Sequence, residues 1–277
     1  MKPKHLLSLS VLLISAACSQ PEQKPLTQYV DMYIGTGGHG HVFMGANVPF
    51  GAVQLGPTSI PQSWDWVSGY HISDTTVIGF SHTHLNGTGI GDLFDVTVMP
   101  VVGGVTYARG TEDDPQSGLW SYFSRKNEKA RPGYYATRLD RYGVDAELTS
   151  TLRCAFHKYT YPAGAQAALL ADLQRSNEHV RAWDIRKEGD NAFAGWQQTG
   201  EKMYFYAVAD RPVTGIEPVA EGDREIRIVR FGDGDGPVEL RIGFSFVSEE
   251  NARKNLEAEM LGRSFADVRS EATAVWN

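Results

Sequence analysis

The stretch E-I-R-I-V-R-F-G-D-G-D-G-P-V-E-L-R-I-G-F-S-F-V, residues 225–247, shows the fold class most plainly. Apolar and polar side chains alternate on both sides of a glycine-rich break. A period of two belongs to an extended strand with one face buried and the other wet, which is the habit of an antiparallel sheet. The Gly/Asp run at 232–236 lacks the distal glutamate and the spacing of an EF-hand, so it reads as a hairpin turn rather than a calcium loop. Upstream, the same alternation marks 134–139 and 144–152 as a hairpin around Arg141-Tyr142-Gly143. It marks 155–161 and 167–172 as another around Pro162-Ala163-Gly164. Further strands are expected at 180–186, 192–197 and 203–209. So many short strands at this spacing predict a mainly β chain, an antiparallel β-sandwich over 29–248.

Downstream the regime changes to C-terminal linker helices. Ser248 is placed as an N-cap, with Glu249 and Glu250 in the first turn, where the helix dipole favours acids. Ala252, Leu256 and Met260 share a stripe, and Gly262 follows as a C′ residue. Ser264 and Asp267 form a capping box for a second helix. These signals predict helices near 249–261 and 264–276. Trp276 and Asn277 carry no stop signal, which reads as a longer design that continues past this point.

The polar crowding lies earlier, at 64–100: W-D-W-V-S-G-Y-H-I-S-D-T-T-V-I-G-F-S-H-T-H-L-N-G-T-G-I-G-D-L-F-D-V-T-V-M-P. Residues 75–80 are β-branched and apolar, a buried strand that continues through Ser81-His82-Thr83-His84 and puts both histidines on one face. The alternate glycines of 86–92 make a loop, and the strand resumes at 94–99. Trp64 and Trp66, two apart on an extended segment, are expected to face one way and Asp65 the other. An H-x-H pair on one strand face also suits zinc, with His71, His39 or His41 as a third ligand. The other readings of His82 and His84 are hydrogen bonding to sugar hydroxyls and burial as satisfied structural histidines.

The formal net charge of -7 and the absence of a basic cluster beyond the N-terminus argue against nucleic acid. The 29 glycines follow no period, which suits tight turns rather than a low-complexity tract. Lys2, Lys4, the apolar run 6–14 and Ser15-Ala16-Ala17-Cys18 read as a lipoprotein-type signal peptide over 1–18, with Cys18 lipidated. Residues 19–28, polar and Pro/Gln-rich, would tether the chain to a membrane, so the expected location is the bacterial cell envelope. Cys154 is then the only cysteine of the mature part, which excludes an internal disulfide.

Three motifs in order, G-T-G-G-H-G-H (35–41), W-D-W-x-S-G-Y-H-x-S-D (64–74) and G-F-S-H-T-H-L-x-G-T-G-x-G-D (79–92), resemble the N-terminal domain of glycoside hydrolase family 92. Asn86 stands where serine is commoner, and Leu93-Phe94 replaces a glycine-containing pair. The resemblance implies calcium-dependent, exo-acting α-mannosidases whose second domain is a large (α/α) barrel. It places the start of that barrel at 249–277, and the acid, base and calcium ligands beyond Asn277. Inverting hydrolysis needs two carboxyls roughly 6.5–9.5 Å apart, and none is assigned to these residues. What the resemblance leaves here is part of a site for mannose-containing glycans: Trp64, Asp65, Trp66, His82, His84 and Asp92. On this reading the residues present hold no calcium and are inactive alone. The alternatives are a self-sufficient carbohydrate-binding lipoprotein, using the same tryptophan surface, and a metal-dependent enzyme acting through His82 and His84.

Overall fold

A computed structural model describes residues 24–60, 62–91, 93–103, 105, 118–234 and 236–277. In chain order its strands are β1 (Gly56–Thr58), β2 (Thr76–Val77), β3 (Gly79–Ser81), β4 (Thr97–Val102), β5 (Ser121–Tyr122), β6 (Lys129–Arg131), β7 (Tyr134–Leu139) and β8 (Val144–Ser150). There follow β9 (Cys154–Thr160), β10 (Ala167–Asp172), β11 (Ala182–Glu188), β12 (Ala192–Gln198), β13 (Lys202–Ala209), β14 (Val213–Glu221), β15 (Arg224–Phe231) and β16 (Val238–Ser245). Helices α1 (Glu249–Met260) and α2 (Phe265–Ala274) close the order. One sheet runs β1-β3-β4-β10-β15-β14, a larger one β11-β12-β13-β16-β9-β8-β7-β6, and β2 pairs with β5 apart from both.

The chain is mainly β and antiparallel, as its alternation predicts. Strand β13 shows why. Met203, Phe205, Ala207 and Ala209 are buried while the residues between them are half-exposed. Those inner side chains join Leu148, Tyr159 and Leu240 of the larger sheet and Phe80, Met99, Leu169 and Ile228 of the smaller one in a single core. The outer face of the larger sheet is covered in part by the two helices. There Tyr134, Cys154 and Phe156 pack against Leu256, Met260, Phe265 and Val268. The caps form as read: the Ser248 hydroxyl accepts from the Asn251 N–H, and Ser264 and Asp267 complete the capping box.

At Gly243 the backbone of α1 comes close against the sheet. A Cβ there would lie 2.3 Å from the Ala252 carbonyl oxygen and 2.8 Å from Leu256 Cβ. Two backbones in contact cannot yield as a flexible side chain does. Gly243→Ala is expected to cost at least about 1–3 kcal/mol, the range for an overpacked core, read as a lower urea midpoint at unchanged slope.

Two expected hairpins are not hairpins. Strand β15 pairs with β10 and β14, whereas β16 pairs with β13 and β9. The Gly/Asp run therefore crosses from one sheet to the other. Arg211 organises that crossing, its guanidinium donating to the carbonyls of Gly234, Gly236 and Pro237 at 3.3, 3.2 and 2.9 Å. Likewise β9 and β10 lie in different sheets. The physical reason is that alternation states which face of a strand is buried, and both sheets offer an apolar inner face. The hairpin partner of β15 is β14, a strand that the sequence reading does not include and that contains Gly215 and Pro218. An edge strand tolerates both, and the register shifts between Val213 and Gly215.

The run 75–80 is also split. Its two halves, β2 and β3, belong to different sheets, with Ile78 between them bonded to the Thr58 carbonyl. Residues 31–34 form a turn after a short 3₁₀ helix (Leu26–Tyr29), and Leu55 makes an isolated bridge to Ala46.

Candidate functional site

The segment Trp64–Trp66 is a turn of 3₁₀ helix rather than an extended strand. With three residues per turn, positions two apart point in different directions, so the two tryptophans part company. Trp64 donates its indole N–H to the Gly89 carbonyl at 2.7 Å and leaves 54% of the residue exposed. Gly89 has to be small here, because a Cβ would fall 2.9 Å from the indole ring. Trp66 turns the other way, donating to Asp74 at 2.7 Å with its ring 4.4 Å from that of His71. Buried Asp74 also accepts from the Ser59 hydroxyl and from the His71 N–H, so it clasps the two ends of this loop.

Around Trp64 the glycine-rich segment 35–41 supplies two imidazoles. His41 meets the indole edge-on at 4.2 Å, and His39 lies at 5.4 Å. His39 Nδ1 donates to Asp65 Oδ1 at 2.5 Å, and His41 Nε2 stands 3.6 Å from the same oxygen. The hydrogen bond from His39 is the main reason the Asp65 carboxyl sits below the usual carboxylate range. Asn86 joins the two loops, its side-chain oxygen accepting from the Phe43 N–H at 3.1 Å, while the Gly87 N–H donates to His41 O at 2.8 Å. Trp64, Asp65, His39, His41 and Gly89 thus form one surface cluster with an exposed aromatic face and an ionised acceptor.

His82 and His84 do not reach that surface. His82 is fully buried, its Nδ1 hydrogen-bonded to Val96 O at 2.6 Å and its Nε2 to His157 Nε2 at 2.9 Å. His157 in turn bonds the Tyr159 hydroxyl at 2.7 Å. His84 lies between Phe43 and Phe94, with Nδ1 bonded to the Gln54 carbonyl at 2.7 Å. Burial drives the pKa of His82 down to about 3 and of His84 to about 4, so both are neutral. Among the described residues no three His, Cys, Asp or Glu side chains are grouped to hold a metal ion. Asp92 and Cys18 lie outside the described residues.

The rim after Gly91 is strained. Leu93, Phe94 and Val96 hold φ of 70°, 68° and 52°, a region that a β-branched valine rarely enters. Gln197 of β12 pins this run, accepting from the Val96 N–H at 2.5 Å while donating to Leu173 O and Arg175 O. Strain held by surrounding structure is a mark of functional segments. Sequence reading missed Gln197, which is one more inward position on an alternating strand. It also missed Glu128, whose carboxylate accepts from Tyr70, Tyr135 and Arg125 behind the 70–74 turn.

Residues 29–245 match the profile of the Glycosyl hydrolase family 92 N-terminal domain. The chain belongs to this family. An uncharacterized secreted glycosidase of Arthroderma benhamiae is 27% identical, over 98% of this chain and 40% of its own length. A family 92 α-mannosidase from Bacteroides thetaiotaomicron, solved in complex with mannoimidazole, superposes with a TM-score of 0.85 at 31% identity, over 91% of this chain and 36% of that one. A second family 92 glycosyl hydrolase structure gives 0.78 at 26% identity, with the same shares of 91% and 36%. The family 92 chain therefore spans well under half the length of these relatives.

Proposed function

We propose that this family 92 domain forms the sugar-recognising wall of an α-mannosidase-like glycosidase acting on α-linked mannose glycans, anchored in the cell envelope through Cys18. The observation that carries the reading is the half-exposed Trp64 indole, fixed by Gly89 and flanked by ionised Asp65. An indole face packs against the C–H surface of a pyranose, and a carboxylate beside it accepts from two hydroxyls. His39 orients that carboxylate, and His41 stands behind it against the indole edge. Trp66, held by Asp74 and His71, and His84, packed against Phe43, support the wall from behind. His82 serves through the backbone of Val96 rather than by contact with sugar.

Catalysis would need a second domain to bring the acid and the base. Calcium does not fit the cluster at Trp64, since the side chains that gather there include imidazoles and calcium prefers oxygen ligands. Residues 19–277 alone are expected to release no mannose from α-mannosides, with or without added calcium. A one-sided site buries little of a ligand, so mannose should bind weakly, and Trp64→Ala should abolish that binding. Turnover that survives repurification and disappears in Asp65→Asn would overturn the division of labour. Tight mannose binding by a clean monomer would instead favour a stand-alone carbohydrate-binding lipoprotein.

A further inference from the structure

A recess opens close to the strained rim. It is a polar cleft of about 700 Å³ between the loop 174–181, the start of β11 and the β14–β15 turn. Its floor is pre-arranged. Arg227 lies over the Trp183 ring at 4.7 Å and pairs with Glu225 at 2.7 Å, and the Glu225 N–H donates to Gln174 Oε1 at 2.8 Å. At its mouth Arg181, His179 and Asp223 are exposed, with no side-chain partner among the described residues. Cations and carboxylates alternate around the wall in near balance, which gives an anionic polymer no net attraction. A neutral polyol is both donor and acceptor at every hydroxyl and suits such a lining, with an indole beneath it.

The cleft is tied to the rim beside the first site. Ser176 Oγ and the Asn177 N–H both donate to Leu93 O, at 2.7 and 2.9 Å, so loop 174–181 braces the rim that leads back to Gly89. Asn177 also packs beside Gly91, and its buried side-chain amide nitrogen has no partner among the described residues.

We propose that this cleft binds the portion of a glycan beyond its terminal mannose, as a run of neutral hexoses. The proposal rests on the reading that Trp64 receives the terminal sugar. The two are separable by NMR titration of isotopically labelled residues 19–277 with mannose and with an α-linked mannotriose. The trisaccharide should shift the Trp183 indole and the amides of 178–184 and 223–225, and bind about tenfold more tightly than mannose, the worth of one charge-assisted hydrogen bond. Arg181→Ala, an exposed change that touches no internal contact, should remove that advantage and leave mannose affinity unchanged. Equal affinity for the two sugars, no shift with either, or a trisaccharide affinity indifferent to Arg181→Ala would overturn the cleft. If Trp64→Ala abolishes mannose binding while Arg181→Ala changes nothing, the cleft falls and the Trp64 reading stands. If mannose binding survives Trp64→Ala while the Arg181 effect persists, the reverse holds.

Discussion

Acidification from pH 7 to pH 4.5 is expected to strip this domain of most of its stability, through three histidines that the fold keeps neutral. His82 titrates at about 3 and His84 at about 4 in the folded chain, and His157 well below its ordinary value, in each case because burial excludes the charged form. In the unfolded chain each titrates near the ordinary value of about 6.5. Below that value the unfolded state binds more protons than the folded one, so stability falls as pH falls. The loss begins near pH 6.5 and runs down to about 4 for His84 and about 3 for His82. Each histidine contributes a slope of about 1.4 kcal/mol per pH unit inside its window, so three together approach about 4.

Geometry reinforces the effect. His82 Nδ1–H donates to Val96 O, which leaves Nε2 as an acceptor facing the Nε2–H of His157, and His157 Nδ1 accepts from the Tyr159 hydroxyl. A proton added to His82 would set two N–H groups head to head across the seam between the sheets. The check is the urea midpoint measured from pH 7.5 to 4.5. In His84→Gln, where an amide can still donate to Gln54 O, the slope between pH 6.5 and 4 should drop by about 1.4 kcal/mol per unit. A midpoint that stays level from pH 7 to 5 would contradict this account.

Replacing Glu128 by leucine should cost about 3–5 kcal/mol, the penalty for breaking a buried ion pair from one side. The Glu128 side chain is fully enclosed and accepts from Tyr135 at 2.8 Å, Tyr70 at 3.0 Å and Arg125 at 3.1 Å. Burial, and then the nearby Glu128 charge, pushes the Tyr70 and Tyr135 phenols well above their ordinary value, so neither tyrosine of this cage shares the negative charge near neutral pH. Leucine would leave these donors without an acceptor and Arg125 without its counter-charge. Arg125 also donates to the Ile72 carbonyl, so the loss should spread to the 70–74 turn that carries His71 and Asp74. Glu128→Gln keeps an acceptor and should lose less than half as much. Chemical denaturation of both variants and of Arg125→Met gives the coupling, which should exceed about 1 kcal/mol. A Glu128→Leu loss below that figure would mean the cage is wetter than its geometry implies.

Much of the architecture is local in origin. Alternation located the strands of 134–150, 182–209 and 225–245, and side-chain capping placed both helices within a residue or two of their bounds. Three short motifs were sufficient to indicate the family that the profile match shows. These signals are legible because each is made by residues a few positions apart: a pleat, a cap, a tight turn.

What tertiary structure decided was the partner in every case where two were physically equal. Strands β15 and β16 alternate perfectly well as a hairpin, yet each found its inner face in a different sheet. His82 reads equally as a surface ligand or a core residue until His157, 75 positions away, closes its second hydrogen bond. Trp64 and Trp66 diverge because Gly89 and Asp74 draw their N–H groups apart. Which faces are apolar and where the chain turns can be read from the residues alone, since side-chain polarity and backbone preference are properties of single residues and near neighbours. Which surface meets which is a property of pairs distant along the chain, settled only when the two sheets close on one core.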